Sequence, residues 1–429
     1  FIRSESKPGF LQIDTYRLKA HSTGDEIRDR AEVEKYEKID PLNLLMHDGR
    51  DEVTGLLSDI DKRVEEAVSF AEKSKFPSPY KKNNINEKNW IESTVKKERV
   101  VKALNESYKQ LMKLYPNIIF LGEDIKSPYG GAFKVTRELS DLYPSRVFNA
   151  PISEAAIVGL GCGLAMAGYR PFVEIMFGDF MTLAMDQILN HVSKFEYMYN
   201  NQVSVNLVIR TPMGGQRGFG PTHSQTLDRH FLGIPGLRVI AVNNLIGPHK
   251  IFNAIMQNNT GPTIIIENKI LYTLNLRENL PCGFKTFITD EDFPLVHVRP
   301  DTPRVDVTLI GYGRLSETLL NVAELLFEEN EIVAEVICPI QIYPFDIKPI
   351  STLLDKSSVL IIVEEGQGFA GFGSEVVTQI AEYNSGLLKK IKRIMPVETP
   401  IPACGHLEKQ MLPNTDNIIR QIMEVLNEV

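Results

Sequence analysis

Long uncharged apolar runs are missing from this chain, as are clustered cysteines and any surplus of positive charge. Nothing approaches the roughly 18 uncharged residues of a membrane span. The opening Phe-Ile-Arg-Ser-Glu-Ser-Lys lacks the apolar core of a signal peptide. Cys162, Cys282, Cys338 and Cys404 stand far apart without a Cys-x-x-Cys pair, which reads as reduced thiols and a cytoplasmic location. Acidic residues outnumber basic ones 55 to 47, so neither nucleic acid nor an anionic membrane is expected as a partner. No Walker-type phosphate loop or His-Glu-x-x-His motif occurs, and the eight histidines are dispersed, which argues against a protein-built metal cage. No methionine precedes Phe1, so a longer gene product is expected.

What is present is a chain of 429 residues, 43% hydrophobic and 24% charged, enough for two to four cores. A strand-like run, Phe10 to Arg17, leads into a polar loop and a charged helical stretch from Ala31 to Lys38. Between Asp51 and Lys73 the residues Val53, Leu56, Leu57, Ile60, Val64 and Val68 recur at helical spacing. A Pro- and Asn-rich stretch follows, so residues 1–75 are set apart by a linker over 76–93.

Residues 94–290 alternate helices with apolar strands: Val100–Leu114 helical, Ile118–Leu121 strand, Ala155–Ala167 helical, then strands at 172–175, 203–209, 237–241 and 263–266. Residues 291–429 repeat that grammar, with strands at 305–310 and 359–363 and helices at 317–328, 374–383 and 418–426. Apolar strands separated by helices predict α/β domains with parallel sheets covered on both faces.

Gly159-Leu-Gly-Cys-Gly163 invites a dinucleotide reading, but its glycines lie inside a helix instead of directly after a strand, so close helix packing is expected. Glu123, Glu154, Phe180 and His223 each sit in a turn at an element boundary, where α/β sheets build sites. Each also has a structural reading: Glu154 as a carboxylate at a helix start, Phe180 as core, His223 as a satisfied turn residue.

Several runs together resemble the beta subunit of the thiamine-diphosphate-dependent 2-oxo acid dehydrogenases. They are Leu121-Gly-Glu-Asp124, Tyr129-Gly-Gly-Ala-Phe-Lys-Val135, Pro151-Ile-Ser-Glu154, Glu174-Ile-Met-Phe-Gly-Asp-Phe180, Arg210-Thr-Pro-Met-Gly-Gly215, Thr222-His-Ser-Gln225 and Val363-Glu-Glu-Gly366. They fall in family order over residues 95–429. Residues 8–80 are similar instead to the closing part of the family's alpha subunit, with His21-Ser-Thr-Gly-Asp25 as its regulatory loop. The resemblance implies a transketolase-like pyrimidine-binding domain over 94–290, a transketolase C-terminal-type domain over 291–429 and an alpha-type remnant in front.

It further implies oxidative decarboxylation of a 2-oxo acid, pyruvate or a branched-chain acid, with acyl transfer to the lipoyl group of a partner acyltransferase. By motif match, Glu154 faces the cofactor's aminopyrimidine and sets its tautomer, with Glu123 and the stacking ring of Phe180 in the same pocket. His223 lies near the reacting carbons, and Arg17 and His21 match alpha positions beside the diphosphate. Mg²⁺ and diphosphate bind a Gly-Asp-Gly…Asn motif that is absent here, so a homo-oligomer, such as a dimer, and ligands from outside this chain are expected. A potassium ion is implied near Leu207, Ala254, Ile255, Gln257 and Asn259, with Gln257 in place of the family's aspartate. Phe177–Phe180 and the His21 loop look more like the branched-chain members. The competing readings are a transketolase-like or deoxyxylulose-phosphate-synthase-like enzyme, which would need phosphosugar-binding basic residues, and a non-catalytic assembly fragment.

Overall fold

Asp29 and Asp40 start the first helices by offering carboxylates to unpaired main-chain donors: Ala31 N at 3.0 Å, and Leu42 N and Asn43 N at 2.7 and 3.0 Å. In the computed structural model, which describes residues 4, 10–20, 27–47, 51–76, 88–257, 261–281, 283–387 and 390–427, these helices are Arg30–Glu37 and Pro41–His47. Asp51–Lys73 follows as one long helix, as its periodicity predicts. Phe1–Ile85 forms one unit and Asn86–Val429 another. Within the first, residues 10–17 are not a strand: no described strand of that unit pairs with them, and Phe10, Leu11 and Ile13 are exposed.

In the second unit the apolar runs become two seven-stranded sheets. The first carries β2 (Ile118–Gly122), β3 (Val147–Asn149), β4 (Arg170–Glu174), β5 (Val208–Met213), β6 (Arg238–Ala241), β7 (Thr263–Asn268) and β12 (Gln341–Tyr343), after β1 (Trp90–Glu92) has entered the other sheet. Its order is β12-β6-β7-β5-β4-β2-β3, parallel apart from β12. Residues of β2, β5 and β7 are buried throughout, as a sheet covered on both faces requires. The second sheet contains β8 (Phe284–Thr289), β9 (Leu295–Pro300), β10 (Val307–Ile310), β11 (Ala334–Pro339), β13 (Val359–Val363) and β14 (Lys390–Ile394), in the order β1-β8-β9-β11-β10-β13-β14.

Three details differ from the sequence expectations. Trp90–Glu92 lies inside the expected linker yet pairs antiparallel with β8, and β8 joins the second sheet although it precedes residue 291. The alternating burial of Phe284, Thr286 and Ile288 marks that half-exposed strand. The strand expected from Val203 begins only at Val208. In return β12 leaves the C-terminal region to pair with β6, so each sheet contains a strand from the other's stretch of chain.

Of the three glycines of the Glu154–Met166 helix, Gly161 serves close packing, as the helical context implies. A Cβ on Gly161 would stand 2.7 Å from Val173 Cγ1 and 3.0 Å from Leu207 Cδ1, whereas Gly163 has nothing within 4 Å. Gly161→Ala is therefore expected to destabilise the isolated chain by about 1–3 kcal/mol through overpacking. Gly163→Ala should stabilise it by about 0.5–1 kcal/mol through helix propensity. Denaturant melts of the two variants check this pair; equal effects would remove the packing explanation.

Candidate active site

Parallel strands end together, so the residues just beyond β2, β4, β5 and β7 share one edge of the first sheet. Beyond β2 comes Glu123, 7% exposed, with Oε1 buried and unpartnered among the described residues. Burial raises its carboxyl above the ordinary range, and the nearby charges of Glu154, Asp124 and Glu174 push the same way. Glu154, 6% exposed, opens the helix beginning at Ser153's extended backbone. The structure thus places two buried carboxylates near one another, and gives one of them an unmet hydrogen-bonding capacity.

β4 runs on into an aromatic turn. Phe177 and Phe180 are 5.8 Å apart, and the His223 ring approaches them edge-on at 5.1 and 5.2 Å. Phe219 adds an edge contact to Phe177 at 6.1 Å. His223 belongs to the segment after β5, which needs positive φ at Gly214, Gln216, Gly218 and Gly220. Buried charged side chains hold that segment. Glu365 accepts from Gly215 N at 2.8 Å, and Glu408 accepts from Gln216 N and Gly218 N at 2.7 and 2.9 Å. Asp179 accepts from the Gln225 side chain at 2.8 Å, and Lys269 Nζ donates to the His223 carbonyl. Burial alone would raise the Glu365 carboxyl, but Arg314 at 2.9 Å and the Gly215 bond hold it below the usual range. A cleft of about 630 Å³ opens beside this loop, lined by Gln225, Leu227, Arg229, Glu365 and Phe369 among others.

Comparison with known proteins fits this layout. Residues 96–275 match the family described as "Transketolase, pyrimidine binding domain", and residues 297–418 match "Transketolase, C-terminal domain". The chain is 32% identical over 327 residues to the pyruvate dehydrogenase E1 component subunit beta-1, mitochondrial, of Arabidopsis thaliana, covering 76% of this chain and 88% of that protein. The chain belongs to the beta-subunit family of the thiamine-diphosphate-dependent 2-oxo acid dehydrogenases. The acetoin:2,6-dichlorophenolindophenol oxidoreductase subunit beta of Bacillus subtilis (strain 168) is also 32% identical, over 76% of this chain and 96% of its own length. A solved structure titled "Split gene transketolase, inactive beta4 tetramer" shares the fold with TM-score 0.58 at 18% identity, over 76% of this chain and 97% of its own.

Among the residues marked by sequence, the structure brings Glu123 near Glu154 and Phe180 against His223. Arg17 is exposed in the first unit, where its carbonyl accepts from Arg28, and His21 lies outside the described residues. For the beta-family chain the potassium site fits poorly. The Ile255 carbonyl accepts from the Arg170 guanidinium at 3.2 Å, so a cationic group already serves it. Leu207, Ala254 and Ile255 are buried, Gln257 is exposed, and Asn259 lies outside the described residues. No group of three or more His, Cys, Asp or Glu among the described residues could hold a metal ion. Sequence reasoning missed the tethers Asp179, Lys269 and Glu408, because nothing local marks a charge that acts across the fold. The one signal was a lysine directly after the buried strand Thr263–Asn268.

The raised Glu123 carboxyl has a pH signature. A group that binds its proton more tightly when folded subtracts stability as pH rises through the window from the ordinary carboxylate value up to its raised one. Above that window the penalty is complete. Glu123→Gln should therefore stabilise the chain at pH 7 by about 1 kcal/mol, the lower range for a buried unsatisfied group, and the gain should shrink toward pH 4.5. Urea titrations of both proteins across that range test it; a pH-independent difference would refute it.

Proposed function

We propose that this chain is the pyrimidine-binding half of an enzyme that decarboxylates a 2-oxo acid and passes the acyl group to a lipoyl-bearing acyltransferase. The observation that carries this reading is the buried pair Glu123 and Glu154 on the strand-end edge of the first sheet, with one Glu123 carboxylate oxygen unpartnered among the described residues. A protein with nothing to bind there would gain by substituting one carboxylate. The pair fits an aminopyrimidine, which offers ring nitrogens and an amino group to carboxylates and a flat face to an aromatic ring. Thiamine diphosphate, when bound, supplies a carbon nucleophile and an electron sink for decarboxylation.

The chain's own residues then have distinct tasks. Glu154 holds or accepts a proton at its carboxylate, opposite a ring nitrogen, and so governs how readily the reacting carbon is activated. Glu123 keeps that pocket acidic and desolvated. Phe180 gives the flat apolar face, and His223, seated against Phe177 and Phe180, moves protons near the reacting carbons. Thr222 Oγ1 lies 3.0 Å from His223 Nδ1 and steadies its orientation. The diphosphate and Mg²⁺ ends are assigned to a Gly-Asp-Gly…Asn segment outside these residues, so the working form is a multimer that completes the site. Residues 1–75 are read as an alpha-type remnant, with Arg17 and His21 assigned to the diphosphate side.

Two measurements test this. In the complete assembly, Glu154→Gln should fold normally and lower single-turnover decarboxylation by at least about a hundredfold, the scale of an acid–base contribution. Near wild-type turnover with a normal melt would remove the assignment. The rings of Phe177 and Phe180 against His223, with Phe219 packed on Phe177, favour a branched aliphatic substituent over a methyl group. Kcat/KM for 2-oxoisovalerate should exceed that for pyruvate by about tenfold or more, the lower range for an added methylene in an apolar pocket. A preference for pyruvate would overturn that choice of substrate.

A further inference from the structure

Lys269 is wholly buried, and none of the tasks assigned above uses it. Its main chain is fixed in the sheet, since Lys269 N donates to Met213 O at 3.0 Å and so extends the pairing of β7 with β5. Its side chain runs from that rigid position to the segment bearing His223, where Nζ donates to the His223 carbonyl. The ammonium lies over the Phe177 ring at 5.1 Å and the Phe219 ring at 5.6 Å. Phe177 is one of the two rings against which the His223 imidazole rests.

We infer that Lys269 is a positioning residue: its ammonium ties the peptide of His223 to the end of β7 and fixes where that imidazole stands against Phe177 and Phe180. The inference rests on the reading of His223 given above. Three facts support it over simple filling of space. An apolar side chain of similar length would occupy the place without the cost of burying a charge. Burial lowers the ammonium from its ordinary range to about 8, opposed by the charges of Asp179, Glu365 and Glu408, so the group is still largely charged at neutral pH. Finally, the other tethers act elsewhere: Glu365 and Glu408 hold Gly215, Gln216 and Gly218, and Asp179 holds Gln225. Lys269 is bonded to the peptide of His223 itself.

The first test needs no cofactor and no activity. Hydrogen exchange measured by mass spectrometry on the full chain should show the 220–226 segment exchanging at least about tenfold faster in Lys269→Met than in the wild type, the order expected from losing one charged hydrogen bond. Lys269→Arg, which keeps a charged donor, should restore most of the protection. Unchanged protection in a normally melting Lys269→Met protein overturns the inference. Should Lys269→Met fail to fold, Lys269→Gln is judged by the same criterion. The second test uses the complete assembly and a double-mutant cycle. Lys269→Met should lower kcat with little change in the 2-oxo acid KM, and adding it to His223→Gln should cause no further loss. Additive losses overturn the link to His223. A silent His223→Gln together with fast exchange in Lys269→Met would instead sink the catalytic role of His223 and leave the tether standing.

Discussion

Arg210 is 1% exposed in the middle of β5, with a carboxylate on either side. Glu174, at the end of β4, bonds its Nη1; Glu267, in β7, takes Nε and Nη2 at 3.1 and 2.6 Å. The hydroxyls of Tyr108 and Tyr272 donate to Glu267 at 2.9 and 2.7 Å, so its remaining oxygen capacity is used. An isolated guanidinium in such a place would cost several kcal/mol. Burial works against its charge, but the two carboxylates outweigh that and keep it firmly protonated. The bidentate geometry can be met only when β4, β5 and β7 stand in one register. Those strands lead into Phe177–Phe180, the His223 segment and Lys269. The order of the site thus depends on one buried cation that locks three strands together, and removing any partner would leave an uncompensated charge inside.

The second layer of order comes from the C-terminal part of the chain. Glu365, just beyond β13, and Glu408, on the Gly405–Met411 helix, reach across to the glycine-rich segment and take its main-chain donors. Tyr312 likewise donates to the buried Asp228 from across that boundary. A segment with four positive φ values cannot bond its own donors regularly, so carboxylates must come from elsewhere. That requirement ties the pyrimidine-binding sheet to the C-terminal part of the chain, and the exchange of β12 for β1 and β8 ties them again. The two stretches of chain exchange strands, and charged side chains reach across from one to the other.

Local signals made much of this legible. Buried strands such as Ile118–Gly122 and Val359–Val363 announced themselves as apolar runs, and the Asp51–Lys73 helix by its spacing. Glu123, Glu154, Phe180 and His223 could be marked because each sits at an element boundary inside a motif. What stayed hidden depends on distance along the chain. Glu408 and Gln216 are 192 residues apart, and a lone glutamate on a short helix looks like a solvated one. The β8 strand, half exposed, carried too weak an alternation to be read, and residues 10–17 look like a strand although the described unit supplies no partner for them. Strand existence is a local property; strand pairing is not.

The electrostatics of the two ends of the site point in opposite directions, and this bears on how the chemistry is divided. Around His223 most buried charges have partners: Lys269 a carbonyl, Glu408 two amides, Glu365 an arginine and an amide, while Asp179 bonds through one oxygen and its Oδ2 has no partner among the described residues. Around Glu123 the accounts are left open, with an oxygen unpartnered and a carboxyl raised by burial and by neighbouring negative charge. Satisfied networks rigidify, whereas unsatisfied ones wait for a ligand or shift a proton. The His223 segment is therefore held by bonds from within this chain, which suits it to keep its position. At Glu123, by contrast, burial and neighbouring negative charge raise the affinity for a proton, and a group offering a donor to its free oxygen would relieve that cost. On the reading proposed above the two carboxylates therefore divide the work: Glu123 is left with an oxygen ready to accept a donor from a ligand, while Glu154, beside it, handles the proton.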